Sequence, residues 1–175
     1  MTIRTPIVNI GGGLSELPSG DVTPPSLFEY AHASYTVSDG TDGGSFQSGD
    51  WRTRPLNTVS SNIGATLSSN QITLPAGTYS IDGRAAANII GNNRLRLRNI
   101  TNSTTLVHGF SQYDNSTSGI HMAVIRGVFT LGASATLELQ HYGTLTRNST
   151  GMGAPVSAGS GYEVYADVFF MRVRT

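Results

Sequence analysis

The sequence contains no cysteine, and its 11 cationic residues are all arginines, with no lysine among them. Without thiols there is no disulfide framework, no thiolate nucleophile and no thiolate metal site, so stability has to come from packing or assembly. Arginine presents a planar fork of donors suited to interfaces, whereas lysine is the usual solvated surface cation. The skew therefore suits a surface that meets protein. Charge of either sign is scarce: 13% of residues are charged, against roughly 25% in ordinary soluble domains, and the formal net charge is zero. That balance argues against a broad electrostatic partner such as duplex nucleic acid or an anionic membrane. No apolar run approaches the roughly 18 residues of a membrane span, and the opening MTIRTPIVNIGGG lacks the apolar centre of a signal peptide. A soluble protein is expected. The N-x-S/T patterns at Asn99, Asn102, Asn115 and Asn148 are then most simply turn-rich polar sequence.

Glycine, serine, threonine and asparagine fill the space between apolar residues, the composition of a turn-rich all-β protein. At 175 residues the chain fits one domain plus a tail, since most domains run to about 100–150 residues. Residues 1–27 carry two proline-containing punctuators, a glycine triplet and no sustained period. They also carry Ile7, Val8, Ile10, Leu14 and Leu17, too many apolar side chains for a mere linker. This segment is expected to be an extended arm that docks on something. From residue 28 to 175, about nine strand-like segments alternate with turn signals and no amphipathic helix intervenes, the pattern of a sandwich or jelly roll.

Three stretches say more than their period. ITLPAGTYSIDG reads as strand, turn, strand, with Ile72 and Leu74 on one face and Tyr79 and Ile81 resuming the alternation. NRLRLRN sets Leu95 and Leu97 on one face and Arg94, Arg96 and Arg98 on the other, a comb of three cations. Such a comb is either an ordinary solvated face, or part of a subunit interface, or a grip for an anion. If it is counter-charged, Glu138, Glu163 and Asp167 are the expected partners, because each lies in a predicted strand. In the last strand Val164, Ala166, Val168 and Phe170 occupy one face and Tyr165, Phe169, Met171 and Val173 the other. Burial on both sides then calls for a partner subunit.

Chemistry-bearing patterns are thin. GFSQY around Ser111 lacks the second glycine of a nucleophile elbow, and the glycines at 11–13 have no Lys-Ser/Thr sequel for phosphate. His32, His108, His121 and His141 stand on different strands, without the close spacing of a local metal pair. Four Glu and seven Asp, mostly in loops, offer little for paired-carboxylate catalysis. Asp39 and Asp42 sit among glycines but lack the spacing and closing Glu of a calcium loop. Trp51, if exposed, would be a stacking platform for sugar or an interface anchor; the expectation is that it caps the sandwich. No catalytic residue, metal or cofactor is expected.

Taken in order, WRTRPLNTVSSN, ITLPAGTYSIDGRAAA, NRLRLRNIT and GYEVYADVFFMRV resemble the trimeric TNF-like jelly-roll domains, of complement globular-head type, found in tailed-bacteriophage virion proteins. The likeness spans residues 28–175. It aligns Leu56-Asn57-Thr58 with the family's L-N-T strand core, Leu74 to Tyr79 with its hairpin, and Tyr162 to Val173 with the terminal strand that joins the threefold interface. IVNIGGGLSELPSGD is similar to the leading segments of phage fibre and decoration proteins. The resemblance implies a non-enzymatic virion protein, assembled in the host bacterial cytoplasm: a homotrimeric capsid decoration, cement or head-fibre protein, bound through its arm to the major capsid protein or another virion protein. Its trimer interface would include Tyr162, Val164, Tyr165, Val168, Phe169, Phe170 and Met171. The alternatives are a tail-fibre or tail-tip adhesin for host-surface glycan and, more remotely, a small hydrolase on the same scaffold.

Overall fold

The computed structural model describes residues 7–10, 13–16, 28–114, 119–159 and 161–173. In the N-terminal segment β1 (Ile7–Ile10) and β2 (Gly13–Glu16) pair antiparallel as a separate two-stranded sheet, with Ile10 opposite Gly13. These two short strands lie in the segment expected to be an extended arm. Their signal was the glycine-rich break between two short apolar runs, a composition that two-residue hairpin loops favour. Ile7, Val8 and Ile10 fall in β1 and Leu14 in β2, while Leu17 lies outside the described residues.

The strands that follow are β3 (Glu29–Ser38), β4 (Arg52–Thr53), β5 (Thr58–Ser61), β6 (Thr66–Ser68), β7 (Gln71–Leu74) and β8 (Gly77–Asn88). They are succeeded by β9 (Asn93–Asn99), β10 (Thr104–His108), β11 (Ile120–Leu131), β12 (Ala135–Gly143) and β13 (Tyr162–Val173). They build two antiparallel sheets and, among the described residues, no helix. One sheet runs β11-β8-β13-β3-β5. The other runs β10-β9-β12-β7-β6, with β4 also paired to β12. From β3 onward the chain changes sheet at every connection except β6 to β7 and β9 to β10.

The stretch ITLPAGTYSIDG therefore is not a hairpin. Ile72 and Leu74 pair with β12 in one sheet, while Tyr79 and Ile81 pair with β11 and β13 in the other. Pro75 has no N–H with which to continue a ladder, and the chain turns a corner between the layers. Both halves still point inward, because a corner preserves the alternation that a hairpin would have given. The Tyr79 hydroxyl donates back to the Pro75 carbonyl at 2.9 Å and closes the corner. Removing that bond in Tyr79→Phe should cost about 1 kcal/mol in urea denaturation, with the fold unchanged.

Facing side chains from the two sheets make the core: Ile72, Leu95, Leu97, Leu137 and Leu139 from one, Ile81, Ile125, Val168 and Phe170 from the other, all essentially solvent-free. Each such aliphatic side chain contributes on the order of 1.5–3 kcal/mol. WRTRPLNTV is divided between β4 and β5. Pro55 cannot donate to a ladder, and at the break the side chain of Arg54 turns inward and is fully buried. Asn57 then takes over strand pairing with its side chain, accepting from the Thr36 N–H at 3.0 Å and donating to the Thr36 carbonyl at 2.6 Å.

Candidate functional site

The outer face of the five-stranded sheet can be read row by row from the register. Val128, Ser80, Met171 and Tyr30 form one row. Arg126, Asp82, Phe169, His32 and Ser60 form the next, and Val124, Arg84, Asp167, Ser34 and Thr58 the third. Phe169 stacks on Tyr30 with ring planes 7° apart and centroids separated by 5.7 Å. Charges on this face are paired: Arg126 Nε lies 3.0 Å from Asp82 Oδ2, and His32 Nε2 lies 2.5 Å from Asp167 Oδ2. Apolar side chains remain uncovered around them, Val128 being 66% exposed and Met122 49% exposed.

The terminal strand divides differently from simple alternation. A register shift between Val164 and Ala166 inserts one residue, so Tyr162 and Val164 emerge on the outer face with Phe169, Met171 and Val173. Val168 and Phe170 belong to the core, where Phe170 meets Phe129 edge to face, and Tyr165 is buried with its hydroxyl donated to the Thr41 carbonyl. Those three of the seven residues expected at a subunit contact are thus occupied within the chain. Tyr30, Met122 and Val128 also lie on the outer face. The signal for β11 was in the sequence, since HMAVIRGVFT is apolar on both faces as the last strand is.

On the opposite side of the sandwich, the outer face of the six-stranded sheet carries the arginine comb. Arg94, Arg96 and Arg98 stand opposite Tyr142, Gln140 and Glu138 of β12. The expected ion pairs are not what holds them. Arg96 donates from Nε to Gln140 at 2.8 Å, and its guanidinium lies over the Trp51 ring at 4.1 Å from the centroid. Burial first, and then the neighbouring Arg98 guanidinium, hold Arg96 below the ordinary arginine range. The Glu138 carboxylate instead accepts from Gln71, Thr53 and Gln140. Glu163 and Asp167 lie on β13 in the other sheet, too far around the fold to serve the comb. Trp51 does not cap the core; it is half-buried on this outer face, 5.7 Å from the Tyr142 ring. With no carboxylate to strand, Arg96→Ala should cost about 1 kcal/mol in thermal unfolding, the worth of one neutral hydrogen bond and a cation–π contact. A loss of about 3–5 kcal/mol would instead reveal a broken buried ion pair.

The histidines do not converge, and among the described residues no three of His, Asp and Glu gather where they could hold a metal ion. His141 is buried against Phe46, with Nε2 3.1 Å from the Asn93 amide oxygen. Burial, and then the Arg54 charge, push it well below the usual histidine value of 6.5. The unfolded chain binds this proton more readily, so the stability His141 contributes is complete above pH 6.5 and drains away as pH falls beneath it. The slope is at most about 1.4 kcal/mol per pH unit, and His141→Gln should flatten it in denaturant titrations between pH 5 and 7. Glu163 works in the same sense at lower pH. The Ser157 N–H, with those of Gly40 and Val156, holds its carboxyl below the ordinary range and staples the loop before β13. Asp39 Oδ2 accepts from the Gly159 N–H at 3.0 Å, consistent with turn chemistry in that loop.

No protein-family model and no curated protein sequence matches the chain. Solved structures do. The globular domain of zebrafish complement 1qA protein superposes with a TM-score of 0.50 and 15% identity, over 84% of this chain and 97% of that one. Murine APRIL at pH 5.0 superposes with a TM-score of 0.52 and 10% identity, over 83% of this chain and 99% of that one. With two antiparallel sheets and a strand order that changes layer at nearly every connection, the chain has the jelly-roll fold of the TNF and C1q domains.

Proposed function

We propose that this chain is a non-enzymatic structural protein of a tailed-bacteriophage particle: a homotrimeric capsid decoration, cement or head-fibre protein held to another virion protein by residues 1–27. The observation that carries the assembly is the outer face of the five-stranded sheet. Val128, Tyr162, Met122, Val164 and Met171 are each at least 40% exposed there in the single chain. An apolar patch of that extent, with its charges already paired, is the signature of a contact surface. Threefold closure around one such sheet per subunit buries it completely and leaves no open edge for further growth. The order of the sequence motifs supports placement in a phage particle, and the TNF/C1q-like fold supports a head of this size.

Sedimentation equilibrium of the full chain tests the assembly, with the mass of three chains expected and a stable monomer fatal to it. Gold-labelled antibody on intact virions tests the location. Deleting residues 1–27 should leave a folded trimer that no longer joins particles, since among the described residues the arm contributes a separate two-stranded sheet and no strand of the two main sheets. Full decoration by the truncated protein would move the attachment surface into the head.

A further inference from the structure

The half-buried Trp51 is the only tryptophan of the chain. It lies where four features meet on the outer face of the six-stranded sheet. Arg96 sits over its ring at 4.1 Å and the Arg94 guanidinium lies 5.8 Å from the same centroid. Tyr142 adds a second ring, tilted by 52°. Beside them opens a cleft of about 310 Å³, lined by Arg94, Tyr142, Asn92, Gln112, Ser111 and Thr144. That is the lower end of the size range of small-ligand sites.

The electrostatics of this corner are unbalanced. Arg94 makes no hydrogen bond or ion pair among the described residues, and Arg96 has only the neutral Gln140 amide as a hydrogen-bond partner. The nearby carboxylates reach neither guanidinium: Glu138 accepts from Gln71, Thr53 and Gln140, and Asp50 from the Trp51 N–H at 2.7 Å, and both act on Arg96 only through space. Two adjacent cations that repel one another, set against aromatic surface and neutral hydrogen-bonding groups, call for a ligand with one anionic group and an apolar face.

We propose that this corner binds an acidic saccharide. Arg94 and Arg96 take its carboxylate or sulfate, the exposed parts of Trp51 and Tyr142 meet the C–H face of the sugar ring, and the amides and hydroxyls of the cleft take its hydroxyl groups. A single-stranded nucleic acid would need cations tracking a run of phosphates. Here Glu138 stands opposite Arg98 and Asp50 adjoins Trp51, so the positive field is confined to two side chains, in a chain of net charge zero. The site lies on the opposite side of the sandwich from the surface assigned to trimer contact, so the two readings stand or fall separately. In a trimer it would be displayed in three copies.

Because Trp51 is the sole tryptophan, its fluorescence reports directly on the site. The full chain is titrated with trigalacturonate as the carboxylate probe, a heparin tetrasaccharide as the sulfate probe, maltotriose as the neutral control and oligothymidylate as the nucleic-acid control. A saturable change with at least one acidic sugar is expected, and which of the two responds identifies the anion. Arg96→Gln and Arg94→Gln should each weaken it about tenfold, as loss of a charge-assisted bond does, with unchanged circular dichroism. Arg147→Gln, which removes a cation that does not line the cleft, should leave affinity unaltered. Arg94→Gln breaks no internal hydrogen bond or ion pair, only a long contact with the Trp51 ring, so with unchanged circular dichroism its loss of binding is not a folding effect. The proposal is overturned by no saturable change with either acidic sugar up to about 10 mM, a limit just beyond millimolar affinity. Equal affinity for maltotriose, tighter binding of oligothymidylate, or an equal loss in Arg147→Gln also overturns it.

Discussion

Phe169→Asp should yield a folded chain that no longer assembles, whereas Phe170→Asp, one residue along, should yield no folded chain at all. The two side chains leave β13 on opposite faces. Phe170 is solvent-free in the core against Phe129, their ring centroids 6.1 Å apart. A carboxylate there has no partner, and its burial costs several kcal/mol, comparable with the whole stability of a domain of this size. Phe169 lies outside, stacked on Tyr30 and in register with Asp82 and His32. In the isolated chain an aspartate at that position meets water, and only the stacking contact is lost, about 1 kcal/mol. In a trimer the same carboxylate is repeated three times on the contact surface, each copy beside Asp82, and association is abolished. Sedimentation combined with far-ultraviolet circular dichroism separates the outcomes. A trimeric Phe169→Asp would move the interface to another face, and a well-folded Phe170→Asp would contradict the placement of β13.

The contrast shows which features the sequence carried. Period-two alternation identified the strands and their inward residues, Leu95 and Leu97 against Arg94, Arg96 and Arg98, because a pleated strand in a two-sheet sandwich has one apolar and one polar side. It also revealed that the last strand is apolar on both sides. What alternation does not encode is a single inserted residue. The shift at Tyr165 exchanges the two faces of β13 upstream of it, and nothing in GYEVYAD marks the position, since Val164 and Tyr165 suit either side. Nor does it distinguish a hairpin from a corner: ITLPAGTY has the same pattern whether its halves pair with each other or with strands of different sheets. Pairing of distant strands also decided the fate of Trp51. β4 lies beside Gln140 and His141 of β12, which pair with Thr53 and Arg52 far back in the chain, and that neighbour brings the indole to the comb. Long-range register of this kind lies in the whole set of strands and in no short stretch of them.

Arg54 is the residue that sequence reading passed over entirely, and Arg54→Ala should be among the most damaging substitutions outside the apolar core. WRTRP presents two arginines two apart, equivalent by pattern, yet Arg52 reaches the Gln47 carbonyl near the surface while Arg54 is fully buried. Its Nη2 donates to the carbonyls of Met152 and Tyr165, both at 2.9 Å, and so ties the loop after β12 to the bulge of β13. No carboxylate compensates the charge, and its Nε and Nη1 have no partner among the described residues. Desolvation accordingly lowers Arg54 to about 9, well below the ordinary arginine range. At neutral pH the group is still charged in both states, so its burial weakens the fold, and that weakening is relieved as pH rises past about 9. Two opposed contributions follow: the tether to two carbonyls stabilises, and the buried charge destabilises. Arg54→Ala removes the tether, strands both carbonyls and opens a cavity, an expected loss of about 3–5 kcal/mol. Arg54→Met fills most of the space and removes the charge, so its loss should be about 1–2 kcal/mol, because the relief of desolvation offsets the missing bonds. Urea denaturation of the three proteins at pH 7 measures the difference. If Met proves as costly as Ala, the carbonyl tether outweighs the buried charge; if Ala costs under about 1 kcal/mol, the site collapses easily and Arg54 does not hold the bulge in place.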